Sequence, residues 1–243
     1  MQIIHLDETP STNNYATARL RTESLAEWTV ILTFRQTHGR GQATNSWESE
    51  DFSNLTFSLV LRPEFIPAGS QFLISQAISL GITDFLKKKT GQVTIKWPND
   101  ILIGNRKVAG ILIENAVMGH TIDWSVTGIG LNLNQQHFMP YSPEAVSLSM
   151  VTGRDYPPQE TLMELLACLR SRYETLQNGD DETIRQDYLG NLYRYREWCS
   201  YRSDEGTFEA MITGTDEYGR LLLTDRSGNE TAWPFKSIRM LGF

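Results

Sequence analysis

VTIKWPNDILIGNRKVAGILIENAVMGHTIDWSVTGIGLNLN, residues 93–134, is the stretch whose reading decides the fold. Apolar, β-branched runs at 93–97, 108–114 and 121–133 follow one another with only tight turns between them. Strands that succeed one another so closely pair as neighbours, which favours a largely antiparallel or mixed sheet. With helices packed on one face, this is an α+β arrangement.

Working outward, the preceding segment 72–86 has Phe72, Ile78, Ile82 and Phe85 near one helical stripe. Residues 28–34 and 54–61 read as further strands, and 1–6 as a short one. Ser11-Thr12-Asn13 after Pro10 is a helix N-cap signal. Downstream, 160–176 forms a second amphipathic helix with Leu162, Leu165, Leu166, Leu169 and Tyr173 along its stripe. After Trp198 the character changes. Short strand-like pieces at 208–213, 220–224 and 230–233 alternate with Gly and Asp turns, as in a small β-barrel of about 50 residues. A boundary near 195 divides the chain into residues 1–194 and 195–243.

At 243 residues the chain is long enough for one generous core plus a small appended unit. A formal net charge of −7 argues against a broad nucleic-acid surface, which needs clustered Lys and Arg. A local basic site for a small anion remains open, and Arg40, Lys96, Arg106 and Lys107 recur beside glycine-rich turns. Cys168 and Cys199 lack a metal-ligand spacing and are read as two inert thiols. The N-terminus lacks a secretory pattern and no stretch is long enough to cross a membrane, so cytoplasm is the default location.

Three segments carry chemistry. In Gln36-Thr37-His38-Gly39-Arg40-Gly41-Gln42, two glycines flanking an arginine let backbone N–H groups converge on an anion; an ordinary turn is the alternative. Trp47 beyond it is either core packing or a lid over a flat ligand. In Lys96-Trp97-Pro98-Asn99-Asp100 and Lys107-Val108-Ala109-Gly110, a short hairpin brings Lys107 near Asp100. That pair is either a functional couple or a surface ion pair of negligible value. In Gly128-Ile129-Gly130-Leu131-Asn132, glycines inside a strand mark a bulge or the close approach of a ligand. Period-two alternation puts Asn132 on the face of Gly128 and Gly130.

Together these blocks resemble the biotin protein ligase family. Ser11-Thr12-Asn13, the 36–47 block, KWPND at 96–100, KVAGILIEN at 107–115 and GIGLNLN at 128–134 occur in that family's order. The resemblance covers about residues 1–240. It implies a class II synthetase-like catalytic unit and a small C-terminal SH3-like β-barrel. It also implies two steps: biotin is activated with ATP to biotinyl-5′-AMP, and the acyl group then passes to a lysine of an acceptor protein. The implied partner is a biotin carboxyl carrier protein or the biotin domain of a carboxylase. Mg²⁺ would come with the ATP phosphates and needs no protein metal cluster.

By the same resemblance, Lys107 is the catalytic lysine, with Arg40 and Asp100 beside it. Ser11, Thr12, Asn13, Gln36, Gly39, Arg40, Gly41, Gln42, Lys107, Gly110, Gly128 and Gly130 match biotin-binding positions. Trp47, Asn99 and Asn132 match the nucleotide side. The chain departs from the family pattern at Gln42, where many members carry a second arginine, and at Thr44, where they carry glycine. A helix-turn-helix DNA-binding domain is not expected, because Ser11 stands so near the first residue, and a homodimer is compatible with the pattern. A lipoate or octanoyl ligase shares the implied fold, but the KWPND and Gly-Arg-Gly blocks point away from it. An intact Lys107 and Asn132 speak against a non-catalytic biotin sensor.

Overall fold

The computed structural model describes residues 1–42, 45–140 and 143–242; Thr44 therefore lies outside the described residues. Seven strands build the larger sheet: β1 (Gln2–Leu6), β2 (Thr29–Thr33), β3 (Leu55–Leu61), β4 (Thr94–Lys96), β5 (Asp100–Ile103), β6 (Arg106–Met118) and β7 (Thr121–Leu131). Their order is β1-β2-β3-β7-β6-β5-β4. β1 and β2 pair in parallel, joined through helix α1 (Thr12–Leu20), the crossover that parallel pairing requires. Every other pair is antiparallel.

The 93–134 stretch contains four strands rather than three. Ile101, Leu102 and Ile103 give β5 only a three-residue apolar run between two turns, too short to show a period of its own.

Alternation separates the sheet's two faces. Phe57, Leu59, Ile129 and Ile111 point into the main core. That core is covered by α2 (Phe72–Thr90), with α4 (Pro158–Gln177) and α5 (Asp181–Gly190) stacked outside it. Sandwiched this way, α2 is buried nearly all round instead of along one stripe. Gly81 lets the two long helices approach closely: a Cβ there would stand 2.8 Å from Leu169 Cα. The opposite face carries α1, which closes a small core of Ala16, Leu25, Ile31, Val60 and Val126. α3 (Leu148–Thr152) is a single short turn capped by Ser147. Helices therefore cover one face broadly, and α1 covers part of the other.

The C-terminal residues form a five-stranded antiparallel sheet of β8 (Trp198–Ser203), β9 (Gly206–Thr215), β10 (Leu221–Thr224), β11 (Glu230–Trp233) and β12 (Arg239–Met240). Its order is β11-β10-β9-β8-β12. It docks on the larger sheet beside the turn after β4: Trp97 Nε1 donates to the Gly219 carbonyl at 2.9 Å. Cys168 and Cys199 are free, buried thiols.

Candidate active site

The α1 face of the larger sheet is polar and bare where the core face is apolar. Thr56, Gly130 and Gly110 lie opposite one another across β3, β7 and β6, and Ser58, Gly128 and Leu112 form the next row. A cavity of about 490 Å³ opens over these rows, within the usual range for a small-molecule site.

One end of the cavity belongs to the start of α1. Gln36 Oε1 accepts from the Thr12 backbone N–H at 3.0 Å. Ser58 Oγ donates to Asn13 Oδ1 at 2.6 Å and lies 2.8 Å from the Thr12 hydroxyl. Asn13 Nδ2 in turn donates to Leu112 O (3.1 Å) and Glu114 Oε2 (2.9 Å). Buried polar groups this fully paired are fixed in orientation, so this end offers a rigid set of donors and acceptors. Sequence reasoning singled out Thr12, Asn13 and Gln36 but missed Ser58, which reads as an unremarkable residue within β3.

The other end is cationic. Lys107 Nζ lies 2.7 Å from Asp100 Oδ1, with side-chain exposures of 15% and 14%. At that burial the pair is no solvated surface contact. A β-bulge places the lysine: Asp100 pairs with Gly110 and Ile101 with Ala109, but Leu102 pairs with Lys107, so Val108 is the extra residue. Without it, Lys107 and Gly110 would point to opposite faces. With it, both face the cavity, the kind of re-aiming for which bulges recur near functional sites. Lys96 Nζ approaches the second Asp100 oxygen at 3.8 Å. Burial, and then the charges of Lys107 and Arg239, hold Lys96 below the usual lysine range against the opposing pull of Asp100. Two partly buried ammoniums, Lys96 and Lys107, thus stand together at this end, the sign of charge that suits an anion.

The glycine-rich loop closes over this cleft as a small hairpin. Gly41 N–H donates to Asn45 O (2.8 Å) and Trp47 N–H to Gly39 O (2.9 Å). Gly39 sits at the hairpin base and does not line the cavity. Arg40 bridges outward, to Glu114 at 3.0 Å and to Asn14 Oδ1 at 2.6 Å. Trp47 rests on the glycine floor: a Cβ on Gly130 would stand 2.2 Å from its ring. Lys107 Nζ lies 5.6 Å from the centre of that ring.

Of the residues read from the sequence, Ser11, Thr12, Asn13, Gln36, Arg40, Gly41, Gln42, Trp47, Asn99, Asp100, Lys107, Gly110, Gly128 and Gly130 line one cavity. Asn132 does not. β7 ends at Leu131, so alternation no longer governs residue 132. Its amide instead donates to Lys107 O (3.3 Å) and Val146 O (3.2 Å), bracing the backbone of the bulge. Arg106 also stays outside. The C-terminal sheet supplies a wall that sequence reasoning did not assign, with Tyr201, Lys236 and Arg239 among its residues.

A rigid polar end, a cationic end and a glycine-rich hairpin thus frame one small-molecule cavity across a mixed sheet. The biotin/lipoate A/B protein ligase family model matches residues 6–132, and the chain belongs to that family. It is 30% identical over 233 residues to the biotin–[acetyl-CoA-carboxylase] ligase of Paracoccus denitrificans, covering 93% of this chain and 95% of that one. It is 29% identical over 230 residues to the bifunctional ligase/repressor BirA of Bacillus subtilis, covering 93% of this chain and 70% of BirA. In fold it resembles the biotin protein ligase from Aquifex aeolicus in complex with biotin and ATP. The TM-score is 0.80 at 24% identity, covering 99% of this chain and 98% of the other.

Proposed function

We infer that the chain is an ATP-dependent biotin protein ligase. The observation that carries this reading is the partly buried Lys107–Asp100 pair facing a glycine-floored cavity whose other end is a fixed polar network. The biotin ring system fits the end built by Thr12, Asn13, Gln36 and Ser58, with its carboxylate toward Lys107. A biotin carboxylate oxygen attacks the α-phosphorus of ATP; the bond to the β-phosphate breaks, and pyrophosphate leaves. The acceptor lysine amine then attacks the acyl carbon, and AMP leaves with the bonding pair. Negative charge grows on oxygen in both steps, and Lys107 and Lys96 are the cations held ready to meet it.

On this reading Trp47 and Asn99 serve the nucleotide side, and Asn132 acts indirectly through the backbone of the bulge. Residues 1–194 form the catalytic unit and 195–243 the smaller one. Mg²⁺ would enter on the ATP phosphates. Asp100 is the carboxylate lining the cavity among the described residues, and the two lysines already face it, which fits an ion carried by substrate. The acceptor we assign is a biotin carboxyl carrier protein or the biotin domain of a carboxylase. A cytoplasmic location is part of this proposal; separately, no helix among the described residues is long and apolar enough to cross a membrane.

The test is pyrophosphate release on mixing with ATP and biotin, followed by streptavidin detection of a carrier domain. Turnover with lipoate in place of biotin would overturn the substrate assignment, and the absence of pyrophosphate with either acid would overturn the ligase reading. Sedimentation equilibrium tests the homodimer.

A further inference from the structure

Lys236 lies between β11 and β12, yet its Nζ donates to the Gln42 carbonyl at 3.0 Å, across 194 residues of sequence. The same carbonyl accepts from Asn45 N–H at 3.1 Å. It therefore ties the hairpin to itself and to the C-terminal sheet at one point. The segment carrying Lys236 is docked independently: the Phe235 ring lies 5.3 Å from Trp97 and 6.0 Å from Phe72. Lys236 has φ 67°, in the left-handed region that a residue with a side chain occupies at a cost. The hairpin has no charge of its own at position 42. Arg35, a nearby arginine, is engaged elsewhere, with Glu8 and Asp51 at 3.1 Å each. The cation beside Gln42 comes from the other sheet.

We propose that Lys236 is a positioning residue that latches the glycine-rich hairpin over the cavity and so sets how long the acyl-adenylate is retained. The retention part rests on the ligase reading above; the latch itself does not. Lys236 touches backbone and not the reacting atoms, so its loss should speed hairpin opening without removing a catalytic group. The contact is exposed, so an ordinary net hydrogen-bond contribution applies, which corresponds to about a fivefold change in the opening equilibrium.

Lys236→Met keeps an apolar stem without the donor, and Lys236→Arg restores a donor. Two quantities are measured for each: the rate of tryptic cleavage after Arg40 in the ligand-free protein, and the dissociation rate of biotinyl-5′-AMP. Lys236→Met should raise both by about fivefold, with Lys236→Arg near the unsubstituted protein. Unchanged cleavage and release in Lys236→Met would overturn the latch. Failure of Lys236→Arg to restore them would overturn it too, since the effect would then belong to the fold of the loop and not to the donor. If the unsubstituted chain forms no pyrophosphate, the ligase reading fails alone, and the cleavage comparison still decides the latch.

Discussion

Asn13 occupies the space that a side chain on Gly128 would need: a Cβ there would stand 2.4 Å from Asn13 Oδ1. A residue at the start of α1 and a residue in β7 are thus matched, the missing side chain of one making room for the amide of the other. Asn13 is thereby free to meet Ser58, Leu112 and Glu114 at once.

Gly128→Ala should therefore displace Asn13 and loosen the polar end of the cavity. Losing one buried hydrogen bond costs on the order of 1–3 kcal/mol, so KM for biotin should rise about tenfold or more. The effect on KM for ATP should be far smaller. Steady-state kinetics with each substrate varied in turn checks this, and equal rises for both substrates would place Asn13 outside the biotin end.

Lys107→Ala removes the ammonium that the bulge aims at the cavity. Pyrophosphate release at saturating biotin and ATP should fall by at least about 100-fold, the scale for losing one preorganised stabilising donor. A rate within a few-fold of the unsubstituted chain would take Lys107 out of its role.

Lys96 gives a pH signature. Its lowered value means that part of the folded population sheds the proton at a pH where an unfolded lysine, near 10.5, still holds it. Between those two values the unfolded state binds more protons, so this group's contribution to stability rises with pH. Triphosphate binding reverses the bias by favouring the charged form. ATP binding in that window should take up a proton, and affinity should fall as pH rises through it. Calorimetry in two buffers of different ionisation enthalpy reads the uptake directly, and Lys96→Met should abolish it. Uptake that persists in Lys96→Met would assign the proton to another group.

Gly81→Ala tests the helix packing. Alanine gains about 1 kcal/mol over glycine within a helix. Here its Cβ would press on Leu169 backbone at 2.8 Å, which cannot yield as a side-chain tip can. Overpacking of this kind costs on the order of 1–3 kcal/mol, so a net loss is expected. A lowered urea midpoint with an unchanged slope is the expected result; a raised midpoint would mean that α2 and α4 separate at little cost.

Long, strongly patterned elements were legible in the chain: β2, β3, α4 and β7 are close to where their apolar runs place them. α5 was not, because DETIRQDYLG fully buries only Ile184 and Tyr188, with Leu189 partly buried beside them, too few to define a period. β8 was missed because WCSYRS buries only Cys199 and Tyr201, too short an apolar alternation to stand out beside its serines and Arg202. In the site, the Lys107–Asp100 proximity was legible from a short hairpin, but the bulge that aims Lys107 was not, since an extra residue leaves no mark in composition. Asn132 misled for the related reason that a strand's end is invisible in its alternation. The wall from the C-terminal sheet was hidden because contacts spanning more than a hundred residues depend on docking, not on local pattern.

That wall has a consequence for the order in which a newly made chain becomes competent. The cavity draws on Ser11 at one extreme and Met240 at the other. A chain extended only as far as β7 would carry every strand of the larger sheet but an enclosure open on one side. Its hairpin would lack a partner for the Gln42 carbonyl beyond its own backbone. Enclosure is a property of the folded pair of sheets, completed by residues that lie downstream of every strand of the larger one.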